Sequence, residues 1–78
     1  MQLQAKLRRM ESIRAGLKIC LKKDAPVHNN FTLKYMIMNA SDLTGKTYER
    51  TNEQVLTAID DLRILICKYL SKIKEIIN

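Results

Sequence analysis

Seventy-eight residues make one small domain, close to the size at which a hydrophobic core stops being self-sufficient. Apolar residues are 46% of the chain, too many for general disorder, and two Gly with one Pro leave room for long unbroken helices. The net charge of +6 lies entirely in residues 1–23, where Lys6, Arg8, Arg9, Arg14, Lys18, Lys22 and Lys23 face only Glu11, while residues 24–78 carry seven cations and seven anions.

The first element is predicted over residues 2–23. At 100° per residue, Leu3, Leu7, Met10, Ile13, Leu17, Cys20 and Leu21 fall within about 140° of one another. Arg8, Arg9, Lys18, Lys22 and Lys23 take the opposite arc, and Arg14 and Lys6 fall at or within the edges of the apolar one. Gly16 is either a weak point costing up to about 1 kcal/mol or a place where another helix comes close. Asp24-Ala25-Pro26 ends the helix, because the residue before proline is steered out of the helical region.

Val27 to Asn30 reads as a connector, with either Asn suited to cap the next helix. That second helix is predicted over 30–43. Leu33, Tyr35, Met36, Ile37, Met38, Ala40 and Leu43 ring much of its circumference, which predicts the most enclosed of the three elements. Gly45 reads as its stop.

Thr51-Asn52-Glu53-Gln54 has the capping-box pattern and opens a third helix over 52–77. Val55, Ile59, Leu62, Ile66, Tyr69, Ile73 and Ile76 follow an unbroken 4-3 spacing, the strongest periodic signal in the chain. Acids lead and bases come after them along it, which suits the helix dipole. At 1.5 Å per residue it runs on the order of 35–40 Å, more than helix two can cover. Helix one or a partner chain has to take the remainder.

Little in the chain is arranged for catalysis. His28 is the only histidine, and Cys20 and Cys67 lack any metal-ligand spacing; both thiols are expected to be buried and free. Asp60 and Asp61 point different ways on a helix, so they form no catalytic dyad. Ala40 to Thr47 ends in Gly-Lys-Thr like a phosphate-cradling loop, but Ala40 stands where that motif needs glycine and no strand precedes it. Lys46 is then a solvated lysine after a helix stop. The N-terminal residues lack the apolar core of a secretory signal, and no run approaches the ~18 apolar residues of a membrane span, which predicts a cytoplasmic protein.

What remains is the basic face of helix one. Lys and Arg there would neutralise phosphates and release counterions without reading bases. Tyr35, Tyr48 and Tyr69 offer stacking surface or ordinary core material.

Three segments resemble the N-terminal helical part of the YqeY-like family, which is related to the tail domain of the B subunit of the aspartyl/glutamyl-tRNA amidotransferase. Leu17-Lys-Ile-Cys-Leu-Lys-Lys23-Asp24 is similar to the end of that family's first helix, and Thr32-Leu33-Lys34 to its Thr-Leu-Arg at the start of the second. Gly45 to Leu56, with Thr51-Asn-Glu-Gln-Val-Leu56, is similar to its entry into helix three, and Lys72-Ile-Lys74-Glu75 to its basic end. The interval before Thr32 is longer here and Lys34 replaces an arginine. The resemblance implies an accessory, tRNA-contacting role with no chemistry of its own.

The expectation is therefore a single all-α domain over 1–78, a three-helix bundle with a long C-terminal helix and no cofactor, metal or enzymatic activity. It would bind structured, tRNA-like RNA through Arg8, Arg9, Arg14, Lys18, Lys22 and Lys23, with Lys34 and Lys72 as lesser contacts. The competing expectation is a small regulatory or inhibitory module, of phage or mobile-element type, that binds an acidic protein surface. The helix-three stripe also leaves room for self-association.

Overall fold

The structure, a computed structural model, describes residues 2–22 and 30–77, and the side chains of 3–21 and 32–76 within them. The connector 23–29, with Lys23, Asp24, Pro26 and His28, lies outside the described residues. The chain is an all-α three-helix bundle: α1 (Gln2–Lys22), α2 (Asn30–Thr44) and α3 (Asn52–Ile77). All three helices touch one another, and α1 has its most extensive contact with α3.

The local signals act as expected at both ends of the second connection. Gly45 adopts φ 76°, a left-handed conformation that lets its N–H donate to Ser41 O at 2.8 Å and close α2. Thr51 caps α3 by accepting from the Gln54 N–H at 3.2 Å through its Oγ1. Gly16 serves as the close approach: a Cβ there would stand 2.7 Å from Met36 Cε and 2.8 Å from its Sδ, so the bare glycine admits that side chain against α1.

Register comes from contacts between side chains. Arg9 meets Asn39 and Gly16 meets Met36, so α2 runs counter to α1. Lys6 meets Tyr69 and Arg14 meets Ile59, so α3 runs counter to α1 as well. With α2 and α3 pointing the same way, the segment 45–51 must turn back along the bundle rather than close a tight hairpin. Tyr48 anchors that return. It is 7% exposed and belongs to the core, and its hydroxyl donates to Asp61 Oδ2 at 2.6 Å beside Thr44 Oγ1 at 3.0 Å.

The core is built from Met10, Ile13 and Leu17 of α1, Ile37, Ala40 and Leu43 of α2, and Val55, Ala58, Ile59 and Leu62 of α3, with Tyr48. Helix two is the most enclosed element, as expected: fewer than half of its described side chains are exposed, Tyr35 and Met38 among them, against more than half in α1 and in α3. Two expectations need correction. Cys67 is exposed and only Cys20 is buried, since Cys67 lies off the α3 stripe on the flank beside α1; both are free. Lys46 is not merely solvated: it pairs with Asp61 at 3.4 Å, although 63% of its side chain stays exposed and the pair is worth little to stability.

The α3 stripe changes character along its length. Val55, Ile59 and Leu62 are buried, Ile66, Tyr69 and Ile73 are half-buried, and Ile76 is exposed. The cause is geometric. Thr44 and Lys46, at the end of α2, line a shallow surface with Asp61, Ile64 and Leu65. Beyond that level only α1 remains to cover α3, through half-buried Leu3 and Leu7.

Candidate nucleic-acid interface

The inward arc of α1 is held against α2 and α3 by Met10, Ile13, Leu17 and Cys20, all buried, which forces the remaining arc to face water. At 100° per residue, the arc from Arg14 through Lys18 and Arg8 to Arg9 covers about 220°. The cations are thus distributed across the outer surface of α1 rather than along one narrow stripe, and they share it with exposed Glu11 and Ile19.

Each predicted contact has a distinct place on that surface. Arg8 and Lys18 are exposed on its outer side. Arg9 is exposed on the α2 flank, where its guanidinium donates to Asn39 Oδ1; Asn39 is itself fixed by donating to Tyr35 O at 2.9 Å. Arg14 sits on the α3 flank, half-buried, with its Nε donating to Ile59 O at 3.3 Å. That bond uses one of five guanidinium donors and leaves the outer nitrogens available. The side chain of Lys22 and the whole of Lys23 lie outside the described residues.

Among the described residues the one ion pair is Lys46–Asp61. Arg8, Arg9, Arg14 and Lys18 therefore carry charge without a bonded carboxylate. A cation in that condition attracts a mobile anion more strongly than one already paired.

The antiparallel packing of α1 on α3 brings Arg14 and Lys18 to a groove of about 270 Å³ lined also by Glu11, Ala15, Arg63, Ile66 and Cys67. Arg8 and Arg9 are not part of it. Arg63 is the residue that sequence reading passes over. It belongs to the electrically balanced part of the chain, and only the α1–α3 register sets it beside α1 cations. Its sole sequence signal is a position four residues after Ile59, on the edge of the apolar stripe.

A second cluster lies where α2 has ended. Lys6 Nζ is 5.6 Å and Lys72 Nζ 5.5 Å from the centre of the Tyr69 ring, within cation–π range. Lys6 falls in the inward arc of α1 yet is exposed, because no third helix covers this end. Tyr69 is thus occupied by two ammonium groups. Tyr48 is committed to the core, which leaves Tyr35 as the exposed ring of the three.

The Tyr48 hydroxyl is pushed up to about 12, chiefly by burial and next by the hydrogen bond it donates to Asp61. This serves the fold and not the surface. Among the described residues no group of three His, Cys, Asp or Glu side chains could hold a metal ion, and no helix is long and apolar enough to cross a membrane. No family model, curated protein or solved structure matches the chain.

Proposed function

We propose that this bundle is a non-catalytic module that binds structured, tRNA-like RNA through the outer face of α1. One observation carries the reading. Arg8, Arg9 and Lys18 stand exposed on one helix with Arg14 half-buried at its α3 edge, none of them bonded to a carboxylate among the described residues, while residues 24–78 sum to zero charge. Phosphate contacts supply affinity and position without base specificity, and such an array is suited to that task. The likeness of the Leu17–Asp24, Thr32–Lys34 and Gly45–Leu56 segments to YqeY-like proteins points the same way. Lys22 and Lys23 extend the array in sequence, and Lys34 and Lys72 remain peripheral contributors.

The test is a titration of labelled tRNA, with duplex DNA in parallel, at several salt concentrations. Binding should weaken steeply from 50 to 200 mM salt, each phosphate contact adding about 0.7–0.9 to the log–log slope. Affinity that is absent at low salt, or indifferent to salt, rejects the reading.

A second reading, a protein-binding regulator, has one observation in its favour: Leu56, Ile64, Leu70 and Ile76 are large apolar residues left exposed on α3. Leu56, Ile64 and Leu70 fall within about 120° of one another, but they are six and eight residues apart with exposed Asp60 and Arg63 between them, so that side of α3 is not a continuous apolar seam. Capture of a host protein that persists after nuclease digestion would favour it.

A further inference from the structure

The groove between α1 and α3 holds three cations and one carboxylate, and its cations come from helices that are remote in sequence: Arg14 and Lys18 from α1, Arg63 from α3. Among the described residues none of the three is in an ion pair. Arg14 is pinned by its bond to Ile59 O, so its guanidinium is pre-placed at the groove wall and little side-chain freedom is lost when it binds an anion. The groove also has apolar lining, in Ala15, Ile66 and Cys67. Cationic side chains beside apolar ones match a phosphodiester, whose charged oxygens and less polar sugar need both surfaces. Lys18 belongs to the groove and also to the outer face that carries Arg8, about 15 Å away along the helix. A strand tracking that face can therefore enter the groove without leaving positive surface.

We propose that this groove seats a backbone phosphate of the bound RNA, with Arg63 completing a cradle begun by Arg14 and Lys18, and with the sugar lying over Ala15, Ile66 and Cys67. This rests on the RNA-binding reading of α1 and extends it to a second helix. Arg63, exposed and outside the core, becomes a binding residue.

Cys67 supplies a reporter independent of affinity, because it is the exposed thiol in the groove while Cys20 is buried. The experiment uses the whole chain and bulk tRNA. Alkylation of Cys67 by iodoacetamide is tracked by mass with and without saturating tRNA, saturation being established separately by anisotropy. Affinities of the wild type, Arg63→Gln and the control Lys68→Gln are then measured near 100 mM salt, with circular dichroism showing that each variant keeps its helices. The expected result is at least fivefold slower Cys67 alkylation in the complex. Arg63→Gln should weaken binding roughly five- to tenfold and lower the salt slope by about 0.7–0.9, with less than a twofold effect for Lys68→Gln. Unaltered alkylation in a saturated complex, or Arg63→Gln binding as tightly as the wild type, overturns the cradle while leaving α1 as an RNA surface. Absence of any tRNA binding removes both.

Discussion

The two ends of this bundle share one apolar stripe and treat it differently. Where α2 is present, three helices close around Met10, Leu17 and Leu62, none of which keeps any solvent exposure. Past the end of α2, Leu3, Leu7, Ile66, Tyr69 and Ile73 are all half-buried on a two-helix seam, and Lys6 and Lys72 lay their ammonium groups over Tyr69. The 4-3 spacing of α3 is as regular at one end as at the other. What sets burial is the number of helices available to cover the stripe, and periodicity alone does not report that number.

The sharpest way to test this difference is to remove equivalent side chains from each end. Leu62→Ala should cost about 2–5 kcal/mol in urea unfolding, because it leaves a cavity in the closed end that three helices cannot collapse into freely. Ile76→Ala, on the same stripe but exposed, should stay within about 0.5 kcal/mol. Similar losses at both positions would erase the distinction between the ends.

Filling the close approach between α1 and α2 comes next. Gly16→Leu should destabilise by about 1–3 kcal/mol, since Met36 occupies the space a side chain needs. Pairing it with Met36→Ala should recover part of the loss, and a double variant no more stable than the single one would contradict this contact.

Tyr48→Phe addresses the return segment that holds α2 beside α3. Loss of its hydroxyl removes a hydrogen bond from partly buried Asp61 and should cost about 1–2 kcal/mol at neutral pH. The pH dependence carries a sign. Folding holds the Tyr48 proton to about 12, whereas an unfolded tyrosine ionises near 10, so the folded state binds more protons in between. The contribution is complete below pH 10 and is lost as pH rises towards 12. The stability gap between wild type and Tyr48→Phe, measured by urea unfolding, should therefore narrow over that window; a constant gap would count against the buried bond.

The smallest effect belongs to the open end. Lys6→Ala and Lys72→Ala should each cost about 0.5 kcal/mol, partly from lost cover over Tyr69. A loss exceeding that of Tyr48→Phe would mean the two-helix seam is more dependent on its lysines than on its apolar contacts.

Much of this fold was legible in the chain. The glycine at 45, the threonine at 51 and the stripe of α3 are local signals whose physical cause lies within a few residues, and each acts where the sequence places it. Gly16 offered two readings, and the close approach of Met36 selects one. Features that depend on register were not legible. Tyr48 offers stacking surface or core material in sequence alone, and the parallel course of α2 and α3, which brings the connection back over the core, selects the second. Met38 and Tyr35 fit apolar positions of their helix yet are exposed, and Cys67 lies open to solvent in the groove beside α1. The same holds for the candidate site: the α1 cations could be named from charge segregation, while Arg63 joins them only through the antiparallel packing of α1 on α3. The commitments of Arg9 to Asn39 and Arg14 to Ile59 likewise arise between helices.

The most direct measurement separates position from total charge. Arg8→Gln/Lys18→Gln and Arg50→Gln/Lys68→Gln remove the same charge from exposed sites, the first pair on the outer face of α1 and the second elsewhere. With tRNA titrated from 50 to 200 mM salt, the α1 pair should lose roughly tenfold in affinity and about 1.5–2 in salt slope, and the other pair less than threefold. Equal losses from the two pairs would show that attraction depends on net charge alone and that α1 carries no interface.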